Sequence, residues 1–154
     1  MLYLALALCA AGIVALDQLT KFLTVTHIPL GADVPLLPGI AHLTYVQNTG
    51  AAFSMLEGKL WVFYIITFVF LALTVLAITK KWVTGRGAFF SLAAICGGAV
   101  GNLIDRVSQG FVVDMIEVEF FRFAVFNVAD CFITCGAVAL VIFVFLEDRK
   151  EKKK

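Results

Sequence analysis

Polar residues along this chain fall in blocks that separate four long apolar runs, at residues 4–25, 60–79, 88–104 and 126–146. A helix needs about 17–25 such residues to cross a hydrocarbon core of roughly 30 Å, so each run is a candidate membrane span. The second is the clearest, because residues 60–79 carry no charge. No repeat relates the two halves. The segment at residues 27–59 is too long to be a mere connector. Pro29, Pro35 and Pro38 break any helix in it, residues 40–47 are rich in strand formers, and Asn48-Thr49-Gly50 is a turn signal. Residues 51–56 could form a short helix, and Phe120-Phe121-Arg122-Phe123 suits a membrane interface. The pattern predicts a mainly α membrane protein, one four-transmembrane-helix bundle in a single domain over residues 1–154, with the first long loop resting on its surface as a platform or lid.

Composition agrees: 62% of residues are hydrophobic, 15% are charged, and the mean hydropathy is +0.99. Soluble domains are typically about 45–50% apolar. A net charge of +1 predicts no nucleic-acid partner. The placement of the bases says more. Lys80, Lys81 and Arg86 sit between the second and third runs, and Arg149, Lys150, Lys152, Lys153 and Lys154 follow the fourth. The other loops offer only Lys59, Arg106 and Arg122 near helix ends. The positive-inside rule therefore predicts both termini in the cytoplasm and both long loops outside.

Leu6-Ala7-Leu8-Cys9 superficially resembles a lipidation site, but no basic segment or long apolar run precedes it, and Cys9 reads as a small buried residue. Cys96, Cys131 and Cys135 fall within predicted helices. His27 and His42 read as loop residues without ligand partners, so neither a metal nor a structural disulfide is expected.

The predicted topology gathers the unusual polar residues at one place. Asp17 lies about 22 Å along the first helix from Leu2 at 1.5 Å per residue, near the outer boundary, with Lys21 one turn on. The third helix ends there with Asn102, Asp105 and Arg106, and the fourth starts there with Asn127 and Asp130, while Asp114 falls in the loop between them. An ionisable residue in apolar sequence is costly and marks a functional site by default. Two carboxylates in a dry site can share one proton, which is aspartic-protease chemistry. Simpler roles are open for each residue. Asn127 could cap a helix with Asp130 in its first turn, Asp17 and Lys21 could form a structural ion pair, and Arg106 could snorkel to the interface. Gly97, Gly98 and Gly101 read as close helix-packing positions.

Five blocks in order resemble one family, the bacterial lipoprotein (type II) signal peptidases. They are Leu16-Asp17-Gln18 with Lys21, Asn48-Thr49-Gly50-Ala51-Ala52-Phe53, the run from Gly97 to Arg106, Gly110-Phe111-Val112-Val113-Asp114, and Phe126-Asn127-Val128-Ala129-Asp130. The resemblance implies that Asp114 and Asp130 form a catalytic dyad. It implies that Asn48, Gly50, Asn102, Arg106 and Asn127 line the substrate site or support the dyad, with Asp17 and Lys21 as architecture. It also implies a small β-rich extracytoplasmic cradle from the first outer loop. The substrate would be a diacylglyceryl-modified prolipoprotein, cut N-terminal to its lipidated cysteine, by a monomer in the bacterial cytoplasmic (inner) membrane near the extracytoplasmic face, in contact with membrane lipid. No cofactor is required. Two positions depart from the family pattern: Ala124 where proline is usual, and Cys131 where a serine or another small residue is expected. The alternative from another class is a small proton-coupled four-helix transporter, whose acids belong near the bilayer midplane rather than at one end.

Overall fold

A computed structural model describes residues 1–51, 55–120 and 123–151, with the side chains of Lys150 and Glu151 undescribed. Its elements are helix α1 (Leu2–His27), strands β1 (Asp33–Leu37) and β2 (Ala41–Asn48), helices α2 (Leu60–Thr79) and α3 (Arg86–Gln109), strand β3 (Val112–Val118) and helix α4 (Val128–Glu151). All four helices are long and apolar enough to cross a membrane. α2 coincides with the predicted run, and the others extend past theirs. α3 continues through Asp105 to Gln109 because its last polar residues find partners inside the protein. It stops at Gly110, whose φ of 82° supplies the left-handed turn that a side chain disfavours.

α3 is the central helix, packing against α1, α2 and α4. Glycines make this possible. A Cβ on Gly97 would lie 2.9 Å from the Ala10 carbonyl oxygen of α1, and one on Gly98 would lie 2.5 Å from that of Ala129 in α4. Helices meeting in lipid gain from close packing rather than from the hydrophobic effect, so missing side chains are what bring the backbones together. Gly98→Ala should therefore cost about 1–3 kcal/mol by overpacking. Thermal unfolding in detergent measures this, and an unshifted midpoint would mean that α3 and α4 do not meet at this point. The outer faces of α1, α2 and α4 carry exposed Phe22, Phe68, Ile142 and Phe145, as lipid-facing surfaces should.

Three strands in the order β1-β2-β3 form an antiparallel sheet. This corrects two expectations. Asp114 is not in a loop but on β3, opposite Val46 of β2. The cradle likewise draws its third strand from the segment between α3 and α4. Val112, Val113, Met115 and Ile116 are good strand formers, and the free edge of β2 gives them a partner. Val113 and Met115 also pack with Tyr45 in a small apolar core. Pro35 stands on β1, an edge strand, where its missing N–H is tolerated.

Neither histidine is in a loop. His27 ends α1, and His42 lies on β2 with its Nδ1 2.8 Å from Asp33 and its Nε2 3.4 Å from Glu119. The short helix expected at residues 51–56, and the aromatic run at 120–123, fall partly outside the described residues.

Candidate active site

α4 begins two residues later than its apolar run. Phe126 pairs with Ile116 in an isolated bridge, which leaves Asn127 as the residue before the first helical turn. Asn127 Oδ1 accepts the Asp130 backbone N–H (3.0 Å), and the Asp130 carboxylate accepts the Asn127 backbone N–H (3.2 Å). This is a reciprocal capping box, with Asp130 at its third helical position. Asn127 thus caps the helix and also lines the cavity described below, and the cap itself holds Asp130 in place. Asp17 of α1 accepts the next free donor, the Ala129 N–H, at 3.0 Å.

Three asparagines hold the two carboxylates. Asp114 accepts Asn48 Nδ2–H at 2.8 Å on one oxygen and Asn127 Nδ2–H at 2.6 Å on the other. Asp130 accepts Asn102 Nδ2–H at 2.8 Å. Asn102 Oδ1 accepts in turn from Asn127 Nδ2 (3.1 Å) and from Lys21 Nζ (2.8 Å). Asn102 thus joins Asp130 to the lysine directly and reaches Asp114 through Asn127. Gly50 N–H donates to Asn48 Oδ1 at 2.9 Å, closing the expected turn and orienting the Asn48 amide.

Lys21 is the buried cation beneath this layer. Its Nζ lies 2.8 Å from Asp17 and 2.9 Å from Asp105, and all three side chains are 3% exposed or less. Asp105 also accepts Gln18 Nε2–H at 2.9 Å and the Val113 backbone N–H at 3.1 Å, tying α1 and α3 to the strand that carries Asp114. The sequence reading assigned no role to Asp105 or Gln18. A signal was present: Asp105 falls three residues after Asn102, on the same face of α3.

Arg106 does not snorkel freely. One guanidinium nitrogen donates to the Gly50 carbonyl at 3.1 Å, and the group sits 4.2 Å from the centre of the Phe63 ring. Tyr64 OH donates to the Arg106 carbonyl at 2.9 Å, so α2 also helps to seat this arginine. Among the described residues, Arg106 Nε is the buried side-chain nitrogen without a partner.

Asn48, Gly50, Asn102, Arg106, Asp114, Asn127 and Asp130 line one cavity of about 530 Å³. Ala124 and Cys131, the two departures from the family pattern, line it as well. Burial pushes the Asp114 carboxyl up to about 6; the charge of Asp130 adds to this, against the hydrogen bonds from Asn48 and Asn127 and the charge of Lys21.

A cavity holding two amide-bound carboxylates at one end of four apolar helices is the architecture of a membrane aspartic peptidase. The family described as signal peptidase (SPase) II matches residues 9–146. A lipoprotein signal peptidase of Listeria monocytogenes serotype 4b is 41% identical over 148 residues, covering 94% of this chain and 96% of that protein. One from Enterococcus faecalis is 39% identical over 146 residues, covering 95% and 91%. A bacterial membrane enzyme solved by the in meso method at 2.3 Å superposes with a TM-score of 0.89 at 33% identity, over 97% of this chain and 92% of its own. The chain belongs to the signal peptidase II family. That membership sets the transporter reading aside.

Proposed function

We propose that this peptidase removes signal peptides from diacylglyceryl-modified prolipoproteins, cutting N-terminal to the lipidated cysteine, with Asp114 and Asp130 as its catalytic pair. The observation that carries the assignment is the shared set of asparagines: Asn127 and Asn102 bind both carboxylates into one hydrogen-bonded unit at the cavity wall. Two carboxylates linked in this way can share one proton.

The chemistry follows from that proton. The ionised carboxylate takes a proton from water, and the resulting hydroxide attacks the scissile carbonyl carbon. The protonated carboxyl donates to the carbonyl oxygen. Collapse of the tetrahedral intermediate breaks the C–N bond, and the departing cysteine nitrogen takes up the proton from the pair. Arg106, which lines the cavity with its guanidinium held by the Gly50 carbonyl, offers an orienting group for the substrate backbone. Asn48, Asn102 and Asn127 hold the dyad, and Asp17 and Lys21 support it from below.

The enzyme acts as a monomer with both termini in the cytoplasm, and its site faces the outer side of the bacterial cytoplasmic (inner) membrane. There a diacylglyceryl group keeps its acyl chains in lipid while the scissile bond reaches the interface. Each CH₂ buried between helices contributes roughly 0.8 kcal/mol.

The test is cleavage of a diacylglyceryl prolipoprotein beside its unlipidated form, followed by gel shift. Cutting of the lipidated form alone supports the reading. Equal cutting of both removes the lipid requirement, and no cutting by folded enzyme sinks it.

The pH profile offers a finer check. The dyad must keep its proton, so kcat/KM falls as pH rises past the Asp114 value of about 6. Asn48 favours the ionised form of Asp114 by donating to it. Asn48→Ala removes that bond, raises the pKa and moves the alkaline limb to higher pH. A limb that stays put or moves down would contradict the role of Asn48.

A further inference from the structure

Asp114 stands in the wall of two cavities. The first, described above, runs past Phe123, Phe126 and Thr134 and is apolar beyond the carboxylates. The second, of about 250 Å³, shares Asn48, Gly50 and Asp114 with it and continues along Gln47, Thr49 and Glu57. These polar side chains come from the end of β2 and the segment leading to α2. The segment is pinned against the strand end. Thr49 Oγ1–H donates to Glu57 Oε1 at 3.4 Å, and the Gly58 N–H donates to the Thr49 carbonyl at 3.3 Å. Gly58 at φ 72° and Leu56 at φ 59° make the tight turn that brings Glu57 back to the cavity rim.

On the proposed function, the substrate has two ends of opposite character meeting at the scissile bond. The signal peptide and acyl chains are apolar. The mature chain that follows the cysteine is polar and must leave the membrane. From Asp114, the apolar cavity suits the first end and the Gln47–Thr49–Glu57 cavity suits the second. We propose that this second cavity receives the residues on the mature side of the cleaved bond, and that the Glu57 carboxylate makes it select a basic over an acidic side chain there. The inference rests on the peptidase reading. Among the described residues, the charged groups lining this cavity are Asp114 and Glu57, of the same sign, and the Arg106 guanidinium bonds to the carbonyl of Gly50 in its wall. Glu57 is exposed, so its preference is weak and screened by salt.

The experiment uses the full chain in detergent micelles and three lipidated prolipoproteins that differ only in the residue after the cysteine: Lys, Ser or Asp. The expected ratio of kcat/KM, Lys over Asp, is about two- to fivefold at low salt, as an exposed ion pair supplies. It shrinks at high ionic strength, collapses in Glu57→Gln and inverts in Glu57→Lys. Ratios are taken within each enzyme, so a general loss of activity cancels. Equal cleavage of all three substrates by the wild type, or a preference that survives Glu57→Gln, overturns the subsite and leaves the peptidase reading standing. No cleavage of any substrate by folded wild type overturns the peptidase reading, and the subsite with it.

Discussion

Asp114→Asn and Asp130→Asn are each expected to reduce cleavage of a lipidated prolipoprotein by at least ~10³-fold, the upper part of the range for lost general acid–base catalysis. The two losses should not add, because a pair that shares one proton fails as a unit when either member is replaced. The double variant should therefore be about as inactive as each single one. Folding should survive the change at Asp114, whose substitution removes no contact between helices: its partners Asn48 and Asn127 lie on a strand end and a helix cap. Asp130→Asn retains an oxygen that can accept the Asn127 N–H and so preserves much of the capping box. Single-turnover cleavage, with thermal unfolding in parallel, distinguishes a dead folded enzyme from an unfolded one. Residual turnover within tenfold of wild type in either variant would remove that residue from the chemistry.

The second large effect is on stability. Lys21→Met leaves Asp17 and Asp105 buried without their cation, while Asn102 Oδ1 loses one of its two donors and keeps Asn127. Removing one partner from a buried ion cluster costs about 3–5 kcal/mol, far more than a surface pair is worth. That is a large share of the typical 5–15 kcal/mol that holds a domain folded, so the variant should unfold at markedly lower temperature. Part of the cost is an uncompensated charge, which Asp17→Asn would relieve. The double variant Lys21→Met/Asp17→Asn should then be less destabilised than the sum of the two single changes. A strictly additive cycle would show that the pair at 2.8 Å contributes no coupling.

The same cluster connects stability to activity. Lys21 touches Asn102, Asn102 touches Asp130 and Asn127, and Asn127 touches Asp114. Each carboxylate is thus oriented through amides that a buried lysine anchors. A reacting pair has to be held within tenths of an ångström, and a rigid polar network beneath it is how side chains achieve that.

Much of this could be read from the order of residues. Membrane spans announce themselves because partition into lipid is a sum over local side chains, and α2 needs no tertiary contact to be recognised at Leu60–Thr79. The polar residues that would carry the chemistry were conspicuous for the same reason: Asp, Asn and Arg are costly in such surroundings and need an explanation wherever they occur. The glycines of α3 signalled a close approach before its partners were known. Topology alone then carried these residues to one end of the bundle.

Only the folded chain settled which residue touches which. Asp114 rides on a strand because β2 offers an edge to its segment, a property of a partner more than sixty residues away in sequence. Lys21 meets Asn102 across 81 residues, and Asp17 caps α4 across 112. Such pairings leave no local periodicity, so the part of Asp105 as second anion to Lys21, and the seat that Phe63 and Tyr64 give Arg106, were not legible beforehand. Hydropathy registers the cost of a residue against its solvent, one position at a time. Hydrogen bonds between distant side chains depend on geometry that exists only once the helices and the sheet have packed.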